Sequence, residues 1–436
     1  MAKDYLIAAL AQVLAALSAA SVAITVARLL GPTGRGEYAL LAGAVLLLAL
    51  CGQLGFVPGA IQMGSRGAVA IASLFRYAGA VSLAGGVGGI AVLVGVAWRW
   101  PAVLGAPTIL ALGAAAAALP LLMAGQLHGS LLLALQQPTL YHRLVIVQQL
   151  SWAAGVASVL LISPSPASAL AAWAASMLVW FLAVHRHLRR RVGASHPAFR
   201  WQELARVLFF GAQSTAGLLM LSATRSLGLF IVSANLGTAQ AGIYSIATIL
   251  SETVWQAVSA ISRVNLARAS SAYAQGETPT DVLLANRLVT ALTVAGSIGV
   301  AVAAPALIRA LFGEEFVSAA SPLRVLLAGT AVYTVCMLLS GDLLARGYPN
   351  LGSLGAGITL AVSLPLYLLL VPRWDLVGAA ASTATAYFVA TAALVWLHRR
   401  ITGSSPADFV MPRRADALAA WRSITRLVRR AVPREG

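Results

Sequence analysis

Residues Tyr5 to Leu30 read YLIAALAQVLAALSAASVAITVARLL, and no charged side chain interrupts them before Arg28. A helix needs roughly 20 apolar residues to cross the hydrocarbon core of a bilayer. The run exceeds that length, is too long for the apolar core of a secretion signal, and has only Lys3 as a basic residue ahead of it, so it reads as a retained span. The same pattern recurs along all 436 residues, of which 59% are hydrophobic and 10% charged. Soluble chains carry about 25% charged residues. The expectation is an all-α polytopic membrane protein.

Charges and Gly/Pro clusters divide the apolar runs. They set spans at about 6–30, 38–62, 75–98, 103–127, 141–162 and 167–185, then at about 206–234, 239–262, 288–311, 322–343, 351–371 and 377–397. The long seventh segment leaves room for a kink. About 12 spans with the N-terminus inside put 23 of the 30 Lys and Arg residues on the cytoplasmic side and six outside, with Arg225 mid-span. Arg35 counts among the six, on the first outer turn. That asymmetry fits the positive-inside rule. An odd count would separate the basic central loop from the basic tail.

The net charge of +17 is therefore a topology signal, with attraction to anionic membrane lipids. The basic clusters lack the aromatic interleaving of nucleic-acid binders, so nucleic acid is not an expected partner. Cys51 and Cys336 fall inside spans and read as small hydrophobes. His185 and His187 read as solvated residues of a basic loop. No metal-ligand spacing, phosphate loop or nucleophile–base pair is present, so neither a metal, a cofactor nor catalysis is expected. In the tail, Leu418, Trp421, Thr425, Val428 and Val432 share one stripe between arginines, the pattern of an interfacial helix.

Two sequence matches link the halves. Leu30-Gly31-Pro32-Thr33-Gly34-Arg35-Gly36-Glu37-Tyr38 and Leu236-Gly237-Thr238-Ala239-Gln240-Ala241-Gly242-Ile243-Tyr244 both read LGxxxxGxY, offset by 206. Leu132-Leu133-Ala134…Pro138-Thr139-Leu140 matches Leu343-Leu344-Ala345…Pro349-Asn350-Leu351, offset by 211. Same order and equivalent topological positions indicate duplication. An even number of spans per half orients the halves alike, a recurrent transporter plan with the substrate site between them. The fold expectation becomes two parallel six-helix lobes with a central cleft: lobe 1–190, basic linker 191–205, lobe 206–400 and basic cytoplasmic tail 401–436.

Several stretches resemble a known family. Ala27-Arg28-Leu29-Leu30-Gly31-Pro32-Thr33-Gly34-Arg35-Gly36-Glu37-Tyr38 resembles the first outer turn of the polysaccharide biosynthesis / O-antigen flippases, within the multidrug/oligosaccharidyl-lipid/polysaccharide exporter superfamily. Gly242-Ile243-Tyr244-Ser245-Ile246-Ala247 and Leu311-Phe312-Gly313-Glu314-Glu315-Phe316, followed by Pro322-Leu323-Arg324-Val325-Leu326, are similar to it as well. The resemblance implies a flippase for a glycan on a polyprenyl (pyro)phosphate, in company with glycan-biosynthesis membrane proteins. Richness in Arg and Ala with a single lysine points to a GC-rich bacterial genome, and helical spans then point to the cytoplasmic membrane, since outer-membrane spans are β-barrels. A sugar and an anionic phosphate cannot enter hydrocarbon unaided, so the site is expected to be a hydrated cleft with cationic groups.

Charged residues inside spans are the candidates, because a charge at mid-bilayer costs about 2.5–3.5 kcal/mol even on insertion scales. Arg225 and Glu252 lie at similar depths and within pairing reach; a structural bridge and a cargo or proton-coupling role both stand. Gln256, Ser259 and Arg263 extend Glu252 into a polar stripe on one helix face, expected to face the cleft rather than lipid. Arg28 either attracts phosphate or snorkels to the interface. Asp342 is expected to contact the Arg346 turn. Gly52, Gly55, Pro58 and Gly59 should kink the second span, and Gly85 and Gly89 form a GxxxG packing face. The rival readings are a drug/cation antiporter of the same superfamily, a membrane glycosyltransferase or polymerase, and a non-transporting scaffold. A cation carrier needs a deep acid in the first half, yet residues 1–202 hold only Asp4 and Glu37.

Overall fold

The first apolar run forms a helix, α1 (Ala2–Gly52), that does not end at the quoted turn: only Gly31, at φ 64° and ψ −174°, leaves helical geometry. In this computed structural model the description covers residues 2–193, 197–275, 280–348, 351, 353–403 and 405, with the backbone alone at 2–6, 8, 9, 255, 257–268, 274 and 280. The amphipathic stripe of the tail lies outside the described residues. After α1 come α2 (Phe56–Ser65), α3 (Ile71–Arg99), α4 (Ile109–Ala134), α5 (Pro138–Ile162) and α6 (Pro166–Val192). The second half holds α7 (Trp201–Leu236), α8 (Thr238–Ala274), α9 (Thr280–Phe312), α10 (Ala320–Ala345) and α11 (Leu354–Thr402). No strand occurs among the described residues.

Nine of these helices are long and apolar enough to span a membrane among the described residues. Two of the nine are double. α1 has 51 residues and α11 has 49, lengths of roughly 75 Å at 1.5 Å per residue, against a hydrocarbon core of about 30 Å. Gly31 divides α1, and Trp374 with Asp375 (φ 48°) divides α11, so each crosses twice. With α8, the described residues supply twelve candidate crossings, arranged in two lobes of six. Exposed Trp98, Trp100, Trp201, Trp374 and Trp396 lie near helix ends, where aromatic rings suit the water–lipid interface.

Several sequence expectations change in detail. The first outer turn is a single glycine, because a positive φ reverses the chain without a loop. The fourth span runs 109–134 rather than 103–127, since Pro101–Leu104 forms a separate 3₁₀ turn. α7 is unbroken over its 36 residues. His185 and His187 are in α6, not a loop: His185 packs on Phe75, His128 and Phe181, and His187 lies 3.2 Å from the Gln137 side chain. The GxxxG face does pack closely, Gly85 against Gly52 and Met123, Gly89 against Leu119.

The offsets reappear in backbone geometry. Gly31 and Gly237, 206 apart, both have positive φ, 64° and 90°. Gln136 and Gly347, 211 apart, have φ 56° and 92° just past the ends of α4 and α10. The LGxxxxGxY copies also touch reciprocally. A Cβ on Gly36 would overlap the Thr238 carbonyl, and one on Gly242 would overlap the Pro32 carbonyl, again 206 apart. At the opposite end Gly55, at φ 83°, and Gly59 abut Gly211, Ala212 and Val207 of α7 just as closely. The lobes therefore meet backbone to backbone at two ends, with a gap between.

Each lobe has its own apolar core: one is centred on Leu74, Leu119, Met123, Leu131 and Trp173, the other on Tyr244, Phe316, Leu323 and Ala380. At one end of the second lobe, Asp342 ties three helices together. It accepts hydrogen bonds from Tyr273 at 2.6 Å and Arg346 at 2.7 Å and lies 2.9 Å from His398 Nε2. The expected Arg346 contact is thus part of a larger network. The Asp342 side chain is 2% exposed, and its removal takes away the acceptor shared by the Tyr273 hydroxyl, Arg346 and the buried His398 ring. We expect Asp342→Ala to lower stability by about 2–4 kcal/mol, read as a lower thermal midpoint in detergent. An unchanged midpoint would count against this network as a clamp between α8, α10 and α11.

Candidate functional site

Between the two inter-lobe contacts lies a cavity of about 980 Å³, walled by α1, α2 and α4–α8. Its charged lining residues, among those described, are Arg35, Arg225 and Glu252. The rest of the wall is apolar or carries neutral amides, hydroxyls and aromatic rings.

Arg35 reaches the cavity because helix α1 resumes directly after Gly31. One turn further in, Arg35 is 3% exposed, a burial that counting it on the outer side does not reveal. The Gly36–Gly242 contact brings α8 alongside. There Arg35 Nε donates to Ser245 Oγ at 3.1 Å, while that hydroxyl donates to the Gly242 carbonyl at 2.7 Å. The guanidinium carbon lies 5.7 Å from the Tyr38 ring centroid, within cation–π range. No carboxylate among the described residues forms an ion pair with Arg35. Taking an ion out of water without a counter-charge is expensive. Arg35 is the uncompensated charge of this cavity.

Arg225 on α7 and Glu252 on α8 do pair, Nε to Oε1 at 3.3 Å, with side chains 29% and 32% exposed. Partial exposure keeps the intrinsic worth of such a bridge small. Behind the pair lies a pocket of about 40 Å³ lined by Tyr244, Tyr367, Thr383 and Tyr387. There Tyr367 and Thr383 bond through their hydroxyls at 2.7 Å, and Ser251 meets Thr330 at 2.8 Å. The pair therefore has polar support on one side and open cavity on the other.

The other candidates scatter. Arg28 is not in the cavity lining; it donates to the carbonyls of Leu311, at 2.8 Å, and Ala310. Those are among the last carbonyls of α9, which have no partner within their own helix. Arg28 thus ties α1 to the other lobe. Gln256 is exposed and outside the lining. Ser259 and Arg263 follow it along α8, but their side chains lie outside the described residues. Glu37 accepts from the Thr108 amide at 3.0 Å, at the start of α4 and away from the cavity lining. Arg35 is the cavity residue that the sequence reading did not single out. Its twin at offset 206 is the buried Ala241, as Ala19 and Leu46 are the uncharged twins of Arg225 and Glu252, so the repeat held the clue.

Residues 25–321 match the family model described as polysaccharide biosynthesis protein. The chain belongs to that family. Among curated protein sequences none matches it. Solved structures of similar fold include the lipid II flippase MurJ in an inward closed conformation, at 12% identity and TM-score 0.73, covering 98% of this chain and 93% of that one. An inward-facing multidrug resistance MATE family transporter of the MOP superfamily gives 13% identity and TM-score 0.72, covering 89% and 95%. A MOP superfamily transporter from Pyrococcus furiosus gives 14% identity and TM-score 0.58, covering 91% and 93%. This polysaccharide biosynthesis family member thus has the two-lobe, twelve-helix fold of those transporters.

Proposed function

We propose that the protein is a flippase or exporter carrying a polyprenyl-(pyro)phosphate-linked oligosaccharide or polysaccharide precursor across the bacterial cytoplasmic membrane. The observation that carries this reading is the charge balance of the cavity. Two arginines face one glutamate, the glutamate is already paired with Arg225, and Arg35 is left uncompensated. A cavity of that sign attracts a phosphate and repels a cation. The antiporter reading suffers accordingly, since no acid from the first lobe lines the cavity among the described residues. Family membership and the likeness to a lipid II flippase support the class of cargo.

The mechanism is alternating access. The lobes, assigned to 1–190 and 206–400, rock about the site and part at one glycine contact while meeting at the other. Both termini, the 191–205 linker and the 401–436 tail lie in the cytoplasm, where basic residues meet anionic lipids and offer a surface to glycan-biosynthesis membrane proteins. Arg35 and Arg225 bind the phosphate groups, and the polyprenyl chain stays in the bilayer. No chemical step is catalysed. The Arg28, Gln256, Ser259 and Arg263 positions serve the path or the frame rather than the phosphate site.

Reconstitution into liposomes with a fluorescent polyprenyl-diphosphate sugar tests this. Label should become accessible on the opposite face well above the rate in empty liposomes; no excess from a folded preparation would falsify the reading. Arg225→Ala should cut the rate about tenfold or more, the loss expected when one charged contact of about 1.5–3 kcal/mol disappears, with expression retained. Intact transport would make Arg225 a structural residue.

A further inference from the structure

The cavity is chemically two-sided. Its charges sit on α7, α8 and the Arg35 turn of α1, whereas the facing wall, on α5 and α6, is neutral and built of amides and indoles. Along α5, Gln148, Gln149 and Trp152 follow helical spacing onto one face; along α6, Trp173 and Trp180 do the same seven residues apart. Gln148, Trp173 and Trp180 are 4, 5 and 7% exposed. The six-membered ring of Trp180 is seated on Gly125 and Gly129 of α4, where a larger residue would displace it.

Among the polar atoms buried on this wall without a partner are Trp180 Nε1 and Gln149 Oε1. Buried polar groups nearly always find a hydrogen bond, and tryptophan nitrogens in particular usually find an acceptor when buried. Leucine or phenylalanine would fill the same volume in a lipid-embedded lobe without stranding a donor. One donor and one acceptor, set among flat rings and a second amide, match a particular ligand chemistry. Sugar hydroxyls both donate and accept, and the C–H face of a pyranose packs on an aromatic ring.

We propose that this wall is the sugar subsite: Gln148, Gln149, Trp152, Trp173 and Trp180 hold the uncharged glycan unit next to the phosphate, which faces Arg35 and Arg225 across the cavity. The inference rests on the flippase reading and adds selectivity to it. Recognition of the sugar is separate from recognition of the charge, on different helices. A transporter of bare polyprenyl phosphate, or of other lipid anions, has no use for this wall.

The test uses purified full-length protein in detergent and two probes, undecaprenyl diphosphate with and without a single N-acetylglucosamine, with dissociation constants measured for each. Wild type should bind the sugar-bearing lipid at least fivefold more tightly. Trp180→Phe, which keeps the ring and loses the N–H, and Gln149→Leu, which loses both amide groups, should each bring that ratio below twofold while the sugar-free lipid binds as before. Thermal midpoints identify any variant that fails to fold; if Trp180→Phe does, Gln149→Leu, on a partly exposed residue, carries the test. Arg35→Met should weaken both lipids alike. A wild-type ratio near one, or variants that keep the wild-type ratio, overturns the sugar subsite and leaves the flippase reading standing. Binding of neither lipid removes both.

Discussion

Gly36→Val is expected to reduce transport tenfold or more while the protein still folds. The Cβ of any residue at Gly36 overlaps the Thr238 carbonyl in the other lobe, and backbone cannot rotate out of the way as a side chain does. Overpacking of this kind typically costs about 1–3 kcal/mol. That cost falls on the state in which the lobes touch at this end. It shifts the population toward states in which they are apart by roughly 5- to 150-fold, and a cycle that must pass through the closed state stalls. Two measurements check it: the liposome rate, and labelling of an Ala39→Cys reporter in the cavity wall by an impermeant maleimide, with exposed Cys51 replaced by serine. Labelling should rise as transport falls. Gly79→Ala, where a Cβ meets nothing within 4 Å, should change neither. Unimpaired transport in Gly36→Val would mean that the Gly36–Gly242 contact is no gate.

Arg35→Met should have opposite effects on two readouts: transport falls at least tenfold, and the thermal midpoint rises. Arg35 is 3% exposed, with Ser245 and the Tyr38 ring as its neutral partners. Replacing a buried charge by an apolar side chain of similar length is commonly neutral or stabilising by about 1–4 kcal/mol, from which about 0.5–1 kcal/mol is lost with the cation–π contact. A stabilised but inactive variant is the signature of a group kept for a ligand at the expense of stability. Loss of both stability and transport would instead assign Arg35 to the frame.

Much of this protein was readable one segment at a time. Hydrophobic length identified the crossings, because each span must satisfy its backbone within itself and so is a local decision. The double helices were separable for the same reason: Gly31 and the Asp375 region interrupt apolar runs too long for one crossing. The Arg225–Glu252 pair was anticipated from depth along two adjacent helices, since charge inside a span needs a partner or a purpose. The Trp and Gln stripes of α5 and α6 had helical spacing on the page, but periodicity alone does not tell a stripe that faces a cavity from one that faces a neighbouring helix.

Arg35 shows where local reading stops. As the fourth residue after Gly31 in a presumed loop, it is counted on the outer side, with nothing local to mark it as buried. Its burial depends on α1 resuming at once and on Gly36 admitting the α8 backbone, both properties of a contact 206 residues away in sequence. Arg28, seven residues earlier, went the other way, to the carbonyls of α9. Which arginine faces the cavity was thus settled by the rotation and approach of two helices from different lobes. The apolar spans that opened the reading determined by themselves that this chain crosses the membrane about twelve times, because transfer into hydrocarbon is additive along each segment. The sign and the two-sidedness of the cleft were decided only by tertiary packing, because they depend on which faces of separate helices close glycine contacts turn toward one another.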